Sequence, residues 1–314
     1  MQNRLGGETA TVLEPVVSPE VVEALATGGA VVALETTLFS TLGLPSPANA
    51  EALDRCLAAI RAAGAVPAIT AVLDGQPRVG VDAAEHDRIL GPTRKAAERD
   101  LAVALAQRWE FGATTVSASL SLASAAGIAV FATGGIGGVH RDVGATGDVS
   151  ADLDAISAHP IVTVCAGAKA FLDLARTLEH LETAGVPVLG WRHDWFPAFY
   201  TRSSGLPVPH RVEAAAEVAA ILANRSRPDR GLLLTVPIPE SAELDAAALD
   251  VALVEALADA TRDGVRGGAV TPFVLGRIAA ATAGQSIPAN LALAESNAAV
   301  AAEVAVAISD RAVG

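Results

Sequence analysis

Apolar runs of strand length alternate along this chain with longer amphipathic segments. Three of the joints are alike, because RAAGAVPAI, ASAAGIAVFA and ETAGVPVLG each end a helical pattern on Ala-Gly and begin an apolar run at once. Such alternation is typical of a largely parallel sheet with helices on both faces. Because no stretch of Pro, Ser or Gly is long enough to link two domains, the sequence predicts a single α/β domain over residues 1–314.

Local signals refine this prediction into a three-layer α/β/α fold with a central mixed sheet. The run Ser18–Glu20 combines an N-cap, a first-turn proline and an early acid, and so begins a helix. Asp74-Gly75 lies between two apolar runs and predicts a hairpin, which makes the sheet mixed. Helices are also predicted over 94–109 and 169–185, and the chain after Leu244 is predicted to be almost entirely helical.

The composition narrows the range of partners. The 314 residues carry a formal net charge of -13, with the acids scattered through helical patterns, which argues against nucleic acid or an anionic membrane surface as a partner. Cys56 and Cys165 both lie in apolar runs, as buried thiols in a reducing compartment do. The N-terminal residues lack the pattern of a signal peptide, so we expect a cytoplasmic protein. The uncharged run 111–139 is interrupted by hydroxyl residues and glycines, and it predicts strand, short helix, strand and loop instead of a membrane span.

Lysine is almost unused in this chain, since Lys95 and Lys169 are the only two among its 22 lysines and arginines. Either residue type makes ion pairs and phosphate contacts, but only lysine loses its proton and attacks a carbonyl carbon as an amine. Lys169 follows an apolar strand, and we expect it in the first turn of the next helix, where the dipole disfavours an ammonium ion. It is a candidate nucleophile, and the alternative is a lysine that extends from a helix start into solvent. Lys95 is a weaker candidate, since it can also be a charge on a solvated helix face.

Glu35 ends an apolar strand predicted over 30–37. The neighbouring sequence offers it no cation, and a carboxyl group buried in such a place tends towards a raised pKa, as a general acid requires. The alternative is a buried glutamate that is paired with a cation from elsewhere in the fold.

The segment 132–154 is rich in glycine and follows a predicted strand. It is neither a dinucleotide fingerprint nor a P-loop, because the third glycine and the Gly-Lys-Ser/Thr triplet are missing from the required positions. Its glycines nonetheless permit a close approach of backbone to ligand and offer N–H groups to an anion, and Thr133, His140 and Arg141 add side-chain donors. The alternative is a tight turn without a ligand.

Acidic residues crowd the end of this segment, at Asp148, Asp152 and Asp154. Carboxylate oxygens suit Mg2+ or Mn2+, with most coordination positions left to water. Alternatively, Ser150 caps a helix that begins near Ala151, and Asp152 favours the N-terminus of that helix.

Taken together, these stretches resemble the pseudouridine-5'-phosphate glycosidase family, also called the indigoidine synthase A family. The similarity covers essentially the whole chain, and its most specific motifs are FATGGIGGVHR and CAGAK. Further matching motifs are, in order along the chain, VVALETT, RKAAERDL, GATTV, DVSADL, PAFYTR and VTPFVLGRIA.

The resemblance implies an enzyme, a C-glycosidase or C-glycosynthase, that handles the carbon–carbon bond between ribose 5-phosphate and uracil. A carbon-linked base has no lone pair at the scissile atom for an ordinary glycosidase to protonate. In the family, an amine solves this problem: Lys169 would form a Schiff base with C1' of the ribose, and Glu35 would donate the proton that opens the sugar. The resemblance also implies a homotrimer of α/β/α subunits, with Mn2+ or Mg2+ anchored by Asp148.

The same resemblance implies roles for the remaining site residues. Lys95 would contact the substrate, and Thr133 and His140 fit its phosphate side. Asn290 and Asn297 lie two helical turns apart on one face, where either would read an edge of the base. The other substrate contacts that the resemblance implies are Val116, Ser150, Ala151 and Asp152.

One segment departs from the family pattern. After the glutamate the family runs Ser-Thr-Ile-Ile-Ser-His-Gly, whereas the run 36–43 is one residue longer here and lacks the histidine. The change lies beside the expected acid, on the side expected to face the base. Two enzymes are therefore compatible with the sequence: a pseudouridine 5'-phosphate glycosidase with a drifted loop, or an enzyme of secondary metabolism that joins ribose 5-phosphate to another aromatic acceptor. A non-catalytic sugar-phosphate binding protein is the third alternative, and both lysines and Glu35 argue against it.

Overall fold

The computed structural model describes residues 13–313, in which strands and helices alternate as the sequence predicts. The strands are β1 Val16–Val17, β2 Val31–Leu34, β3 Val66–Leu73, β4 Gln76–Val79, β5 Arg94–Ala96, β6 Phe111–Thr114, β7 Val130–Ala132, β8 Val139–His140, β9 Val162–Cys165, β10 Leu172–Asp173, β11 Val188–Trp191, β12 His210–Val212 and β13 Leu232–Thr235. The helices are α1 Pro19–Ala26, α2 Ala48–Ala62, α3 His86–Ile89, α4 Leu101–Ala106, α5 Val116–Ala125, α6 Val143–Thr146, α7 Ala151–Ala158, α8 Leu174–Thr183, α9 Ala215–Ala223, α10 Ala246–Arg262, α11 Val270–Ala281 and α12 Ser286–Val313. Residues 1–12 and 314 lie outside the described range. The predictions for the N-terminal segment and for the ends of the domain fall on these residues.

A central mixed sheet organises the fold. Its strands follow the order β1-β4-β3-β2-β7-β9-β13-β11-β12, and β6 pairs with both β3 and β5. The strands from β2 through β7, β9 and β13 to β11 are parallel, whereas β3 and β4 form the antiparallel hairpin predicted at Asp74-Gly75. The mixed sheet is thereby confirmed. The edge strand β12 escapes prediction because two of its three residues are exposed and polar.

Helices cover both faces of this sheet. Every residue of β2, β9 and β13 is buried, as is usual where a parallel sheet is sandwiched between helical layers. α12 packs against β2, β7 and β9 and contacts α2 and α9, whereas α5 packs against β2, β3 and β7 and contacts α7. The three-layer α/β/α prediction and the helical C-terminal region are confirmed.

The longest helix owes its apolar composition to the core. In the described part of the chain, α12 is the one helix that is long and apolar enough to cross a bilayer. Its most apolar window has a mean hydropathy of 1.5. Of that window, 56% is buried inside the protein, and a helix that is surrounded by other elements must be apolar on most sides. As predicted, the uncharged run 111–139 forms β6, α5, β7 and the loop 133–138, which is called the glycine loop below.

Two predicted helix starts are wrong, and both concern a lysine. Arg94 to Ala96 form the strand β5, with Lys95 paired to Ala113 of β6, because tertiary strand pairing overrides local helix propensity. Lys169 lies in the loop after β9, and α8 begins only at Leu174, where the Asp173 side chain accepts a hydrogen bond from the N–H of Arg176 at 3.0 Å. Lys169 therefore does not lie in the first turn of a helix, and no helix dipole acts on it there.

Two glycines, one in the loop that carries Lys169 and one in the glycine loop after β7, allow close packing against the segment 197–199. Gly167 has φ of +78°, and a Cβ placed there would overlap the carbonyl oxygen of Pro197. A Cβ at Gly135 would overlap the ring of Phe199. The segment 197–199 thus fixes the glycine loop and the loop that carries Lys169 in one arrangement.

Gly167→Ala should destabilise the fold more than the left-handed backbone alone explains. The strained φ costs about 1–2 kcal/mol for an L-residue, and the overlap with Pro197 forces a further backbone shift. Chemical denaturation would measure the free energy of unfolding. Gly127→Ala is the matched control, because Gly127 has φ of +79° with nothing within 4 Å of the added Cβ. Equal losses in the two variants would show that the contact with Pro197 does not constrain the loop.

Candidate active site

A cavity opens at the edge of the sheet where the parallel strands end. Glu35 follows β2, Thr133 follows β7, and the loop with Lys169 follows β9, so the three parallel strands deliver these residues to the same edge. Ligand sites of open α/β sheets lie at this edge. The cavity has a volume of about 370 Å3.

Most of the residues predicted for the site line this cavity. They are Glu35, Lys95, Val116, His140, Asp148, Ser150, Ala151, Asp152 and Lys169. Lining residues that the sequence analysis missed include Thr37, Thr115, Ser117, Phe171, Leu172, Gly267 and Thr271. The hydroxyl residues at the start of α5 follow a strand and precede a helix, a signal that could have identified them. Thr271 belongs to the VTPFVLGRIA motif, which could also have identified it, whereas Gly267, in the turn before α11, carries no local signal.

Glu35 is buried, with a relative exposure of 7%. Burial raises the pKa of its carboxyl group from 4.5 to about 7, against the opposing influence of the Lys169 ammonium and of a hydrogen bond from the Thr133 hydroxyl. The direction of the shift is the one expected from the sequence. Lys169 and Lys95 lower the pKa of Glu35 through their charges, but among the described residues neither forms an ion pair with it. At neutral pH a group with such a pKa can both give and take a proton.

The two lysines share the cavity. The Lys169 Nζ donates a hydrogen bond to the carbonyl oxygen of Gly135 at 2.9 Å. Burial, and then the charge of Lys169, lowers the pKa of Lys95. Since Glu35 and Asp152 act on Lys95 in the opposite direction, the cavity contains two amines and two carboxyl groups whose charges are coupled.

Asp152 ties two walls of the cavity together. Its carboxylate accepts hydrogen bonds from the N–H of Ser117 at 3.2 Å and from the N–H of Gly137 at 2.8 Å. The Ser150 hydroxyl caps α7 by accepting from the N–H of Asp152 at 3.2 Å, as one of the sequence alternatives predicted. The N-termini of α5 and α7 therefore both open onto the cavity, where their dipoles favour an anion.

The residues proposed for a metal supply few ligands. Asp148 lines the cavity, and its Oδ2 lies 3.8 Å from Nε2 of His140. Within residues 13–313, no three His, Cys, Asp or Glu side chains come together as a metal cluster would. A hard cation that keeps most of its water needs only one or two protein carboxylates beside a substrate phosphate, and Asp148 satisfies that modest requirement.

Besides Thr133, three of the predicted residues, and Arg202 of the PAFYTR motif, do not line the cavity. Asn297 donates its Nδ2 hydrogens to the carbonyl oxygens of Thr133 at 2.8 Å and of Gly134 at 3.2 Å. Asn290 is 4% exposed, and within residues 13–313 its buried Oδ1 has no hydrogen-bond partner. The side chains of Arg141 and Arg202 donate to backbone carbonyls, including Leu172 and Ile238.

The unusual loop 36–43 faces the cavity with one residue, Thr37. Its Phe39 and Ser40 side chains are buried, and Thr36 is hydrogen bonded to Thr114. Several residues of this unusual loop therefore pack in the core and do not face the cavity.

A buried carboxyl group beside an amine, at the strand-end edge of a parallel sheet, is the arrangement of an α/β enzyme. The chain belongs to the indigoidine synthase A family, because the family model described as indigoidine synthase A like protein matches residues 20–307. The resemblance drawn from the sequence motifs is confirmed.

Relatives with the name pseudouridine-5'-phosphate glycosidase share about half of their residues with this chain. The protein from Rhodospirillum centenum is 53% identical, and the alignment covers 93% of this chain and 91% of the relative. The protein from Sorangium cellulosum is 48% identical over 94% of this chain and 93% of the relative.

Solved structures share the fold over nearly the whole chain. The prealnumycin C-glycosynthase AlnA, in complex with ribulose 5-phosphate, superposes with a TM-score of 0.87 at 37% identity and covers 96% of this chain and 98% of its own. An indigoidine synthase A-like protein from Thermotoga maritima has a TM-score of 0.84 at 32% identity, with the same coverage.

Glu35→Gln should stabilise the fold increasingly as the pH rises from 5 to 8. Because the folded-state pKa of about 7 lies above the ordinary 4.5, the folded protein retains a proton that the unfolded chain releases. The stability that the protonated group provides is complete below pH 4.5 and lost as the pH passes 7. Denaturation of both proteins across this range should show the variant gaining up to about 3 kcal/mol over the wild type. A difference that does not change with pH would contradict the raised pKa.

Proposed function

We propose that this chain breaks or forms the carbon–carbon glycosidic bond between ribose 5-phosphate and uracil. The observation that carries the proposal is a buried carboxyl group with a pKa of about 7 in the same cavity as Lys169. The names of the relatives and the sugar phosphate bound by the similar C-glycosynthase support the same substrate class.

When the bond to a carbon-linked base breaks with its electron pair on the base, C1' of the ribose needs an electron donor, which an amine nitrogen attached to C1' provides. In the proposed reaction Glu35 gives its proton to the ring oxygen as the bond from that oxygen to C1' breaks. The Lys169 ammonium then passes a proton to the Glu35 carboxylate left by this step, and its nitrogen lone pair forms a bond to C1', after which the nitrogen loses a second proton to solvent. The bond from C1' to the base then breaks, its electron pair remains on the base carbon, which takes up a proton, and the nitrogen lone pair forms the C1'–N double bond.

Water closes this cycle by hydrolysing the Schiff base to ribose 5-phosphate and free Lys169. The reverse sequence, from ribose 5-phosphate and uracil, forms the bond. Glu35 suits both directions, because a pKa of about 7 leaves protonated and ionised forms populated at neutral pH.

The phosphate of the substrate fits the end of the cavity where α5 and α7 begin. Thr115 to Ser117 and Ser150 to Asp152 line the cavity. The N–H groups of Thr115, Ser117, Ser150 and Asp152 donate within the protein, which leaves those of Val116 and Ala151, in the first turns of α5 and α7, for the phosphate. Lys95 adds a positive charge there. In a chain of net charge -13, this local site has to provide the attraction for an anionic substrate.

Mn2+ or Mg2+ is included in the proposal, with Asp148 as its protein ligand. When bound, the ion would neutralise negative charge on the substrate. The family resemblance further supports a homotrimer in the cytoplasm, which sedimentation and fractionation would test.

A second candidate function is the joining of ribose 5-phosphate to another aromatic acceptor. The similarity to a C-glycosynthase at 37% identity favours it, together with Thr37 from the unusual loop in the cavity wall. Release of uracil from pseudouridine 5'-phosphate at rates usual for enzymes would exclude this candidate. Formation of a Lys169 adduct without uracil release would support it.

Lys169→Ala should abolish uracil release while the fold is preserved. Loss of a covalent nucleophile lowers turnover by at least about a thousandfold. Reduction with borohydride in the presence of ribose 5-phosphate should add the mass of the reduced sugar to the wild-type Lys169 peptide, and add nothing to that peptide in the variant.

Lys169→Arg and Lys95→Arg are the matched controls, because they preserve charge at the chain's only two lysines. The first should be as inactive as the alanine variant, since a guanidinium forms no Schiff base. The second should still form the adduct at Lys169. Activity in Lys169→Ala, or an adduct that disappears in Lys95→Arg and persists in Lys169→Arg, would refute the assigned nucleophile.

A further inference from the structure

The glycine loop that follows β7 contacts both proposed catalytic groups. The Thr133 hydroxyl donates a hydrogen bond to Oε1 of Glu35, and the Gly135 carbonyl oxygen accepts one from Nζ of Lys169. The position of these three consecutive residues therefore sets the positions of the carboxyl group and of the amine.

One side chain holds this loop from behind. Asn297, on α12, is 1% exposed, and its amide donates to the carbonyl oxygens of Thr133 and Gly134. These two peptide groups are the ones that connect the Glu35 contact to the Lys169 contact.

Packing leaves the loop little freedom to adjust. A Cβ at Gly134 would lie 3.3 Å from Leu293, and one at Gly135 would overlap Phe199. Apolar contacts of this kind restrict the loop without fixing the rotation of its peptide groups, because they are non-directional. Hydrogen bonds from a buried amide to two successive carbonyls do fix that rotation.

We infer that Asn297 is a positioning residue that orients the Thr133–Gly135 peptides, so that Glu35 and Lys169 are held together for reaction. The catalytic part of this role rests on the proposed function, whereas the effect of Asn297 on Glu35 is measurable without that function. This role replaces the base contact that the sequence suggested for Asn297, since its amide hydrogens are committed to the backbone and it does not line the cavity.

Asn297→Ala should lower kcat by about tenfold to a hundredfold, because small displacements of reacting groups cost that much, with little change in KM. It should also loosen the hydrogen bond from Thr133 to Glu35, which favours the ionised carboxylate. The pKa of Glu35 then rises. Since Glu35 acts when protonated, the limb of kcat/KM that declines with rising pH should move to higher pH.

Other charges that face Glu35 are the same in the variant and the wild type. They are Lys169 and Asp152, whose effects on Glu35 are opposite, and Lys95 on β5. Thr133→Val removes the hydroxyl directly and should move the same limb in the same direction. Asn297→Ala combined with Thr133→Val should move it no further than Thr133→Val alone, since coupled residues are not additive.

Asn49→Ala is the matched control for loss of a buried asparagine. Asn49 is 2% exposed, and its Nδ2 donates at 3.0 Å to the carbonyl oxygens of Phe39 and Leu90, outside the glycine loop. It should lower the free energy of unfolding as Asn297→Ala does, but leave the pH limb in place.

Titration of the Glu35 carboxyl by carbon-13 NMR, assigned with Glu35→Gln, separates this inference from the proposed function. A higher Glu35 pKa in folded Asn297→Ala than in the wild type supports the positioning role even if no uracil is released. An unchanged pKa in a folded variant would overturn it. A raised KM with unchanged kcat would overturn it as well, because Asn297 would then bind substrate.

Discussion

The burial of the Glu35 carboxyl group is the constraint on which the rest of the site depends. Removing a carboxylate from water is costly, and burial is the largest influence on the pKa of this residue. The Lys169 ammonium and the Thr133 hydroxyl offset part of that cost, and the resulting pKa of Glu35 is about 7. A fully compensated glutamate would remain ionised and would be a poor acid.

Parallel strands explain how these groups meet. Glu35, Thr133 and the loop of Lys169 are far apart in sequence, but each follows one of three adjacent parallel strands. Glycines in the intervening loops then allow backbone and side chains to approach closely. The carboxylate of Asp152 completes the arrangement by linking the start of α5 to Gly137.

The fold was predictable from the sequence because its signals are local. The alternation of apolar runs, the Asp74-Gly75 hairpin and the Ser18 cap all depend on neighbours in the chain, and each is confirmed. Most residues of the cavity were predictable for a different reason, because they lie in the family motifs. These motifs identify residues with a chemical role, but they do not show how the residues are arranged in space.

The failures arise where distant segments decide the local structure. Lys95 lies on a strand because β6 pairs with it, and Lys169 lies in a loop because the helix start is set by Asp173. Asn297 was expected to face a substrate, but its amide donates to the carbonyl oxygen of Thr133. The two residues are far apart along the chain, so no local pattern indicates this contact. Periodicity shows that Asn290 and Asn297 share a helix face, but does not show what that face contacts.

The most direct test is a crystal structure of the enzyme after borohydride reduction with ribose 5-phosphate. We expect continuous density from Nζ of Lys169 to C1' of the sugar. The phosphate should lie against the first turns of α5 and α7, within reach of Lys95. A sugar attached at Lys95, or a phosphate bound away from both helix N-termini, would contradict the proposed site.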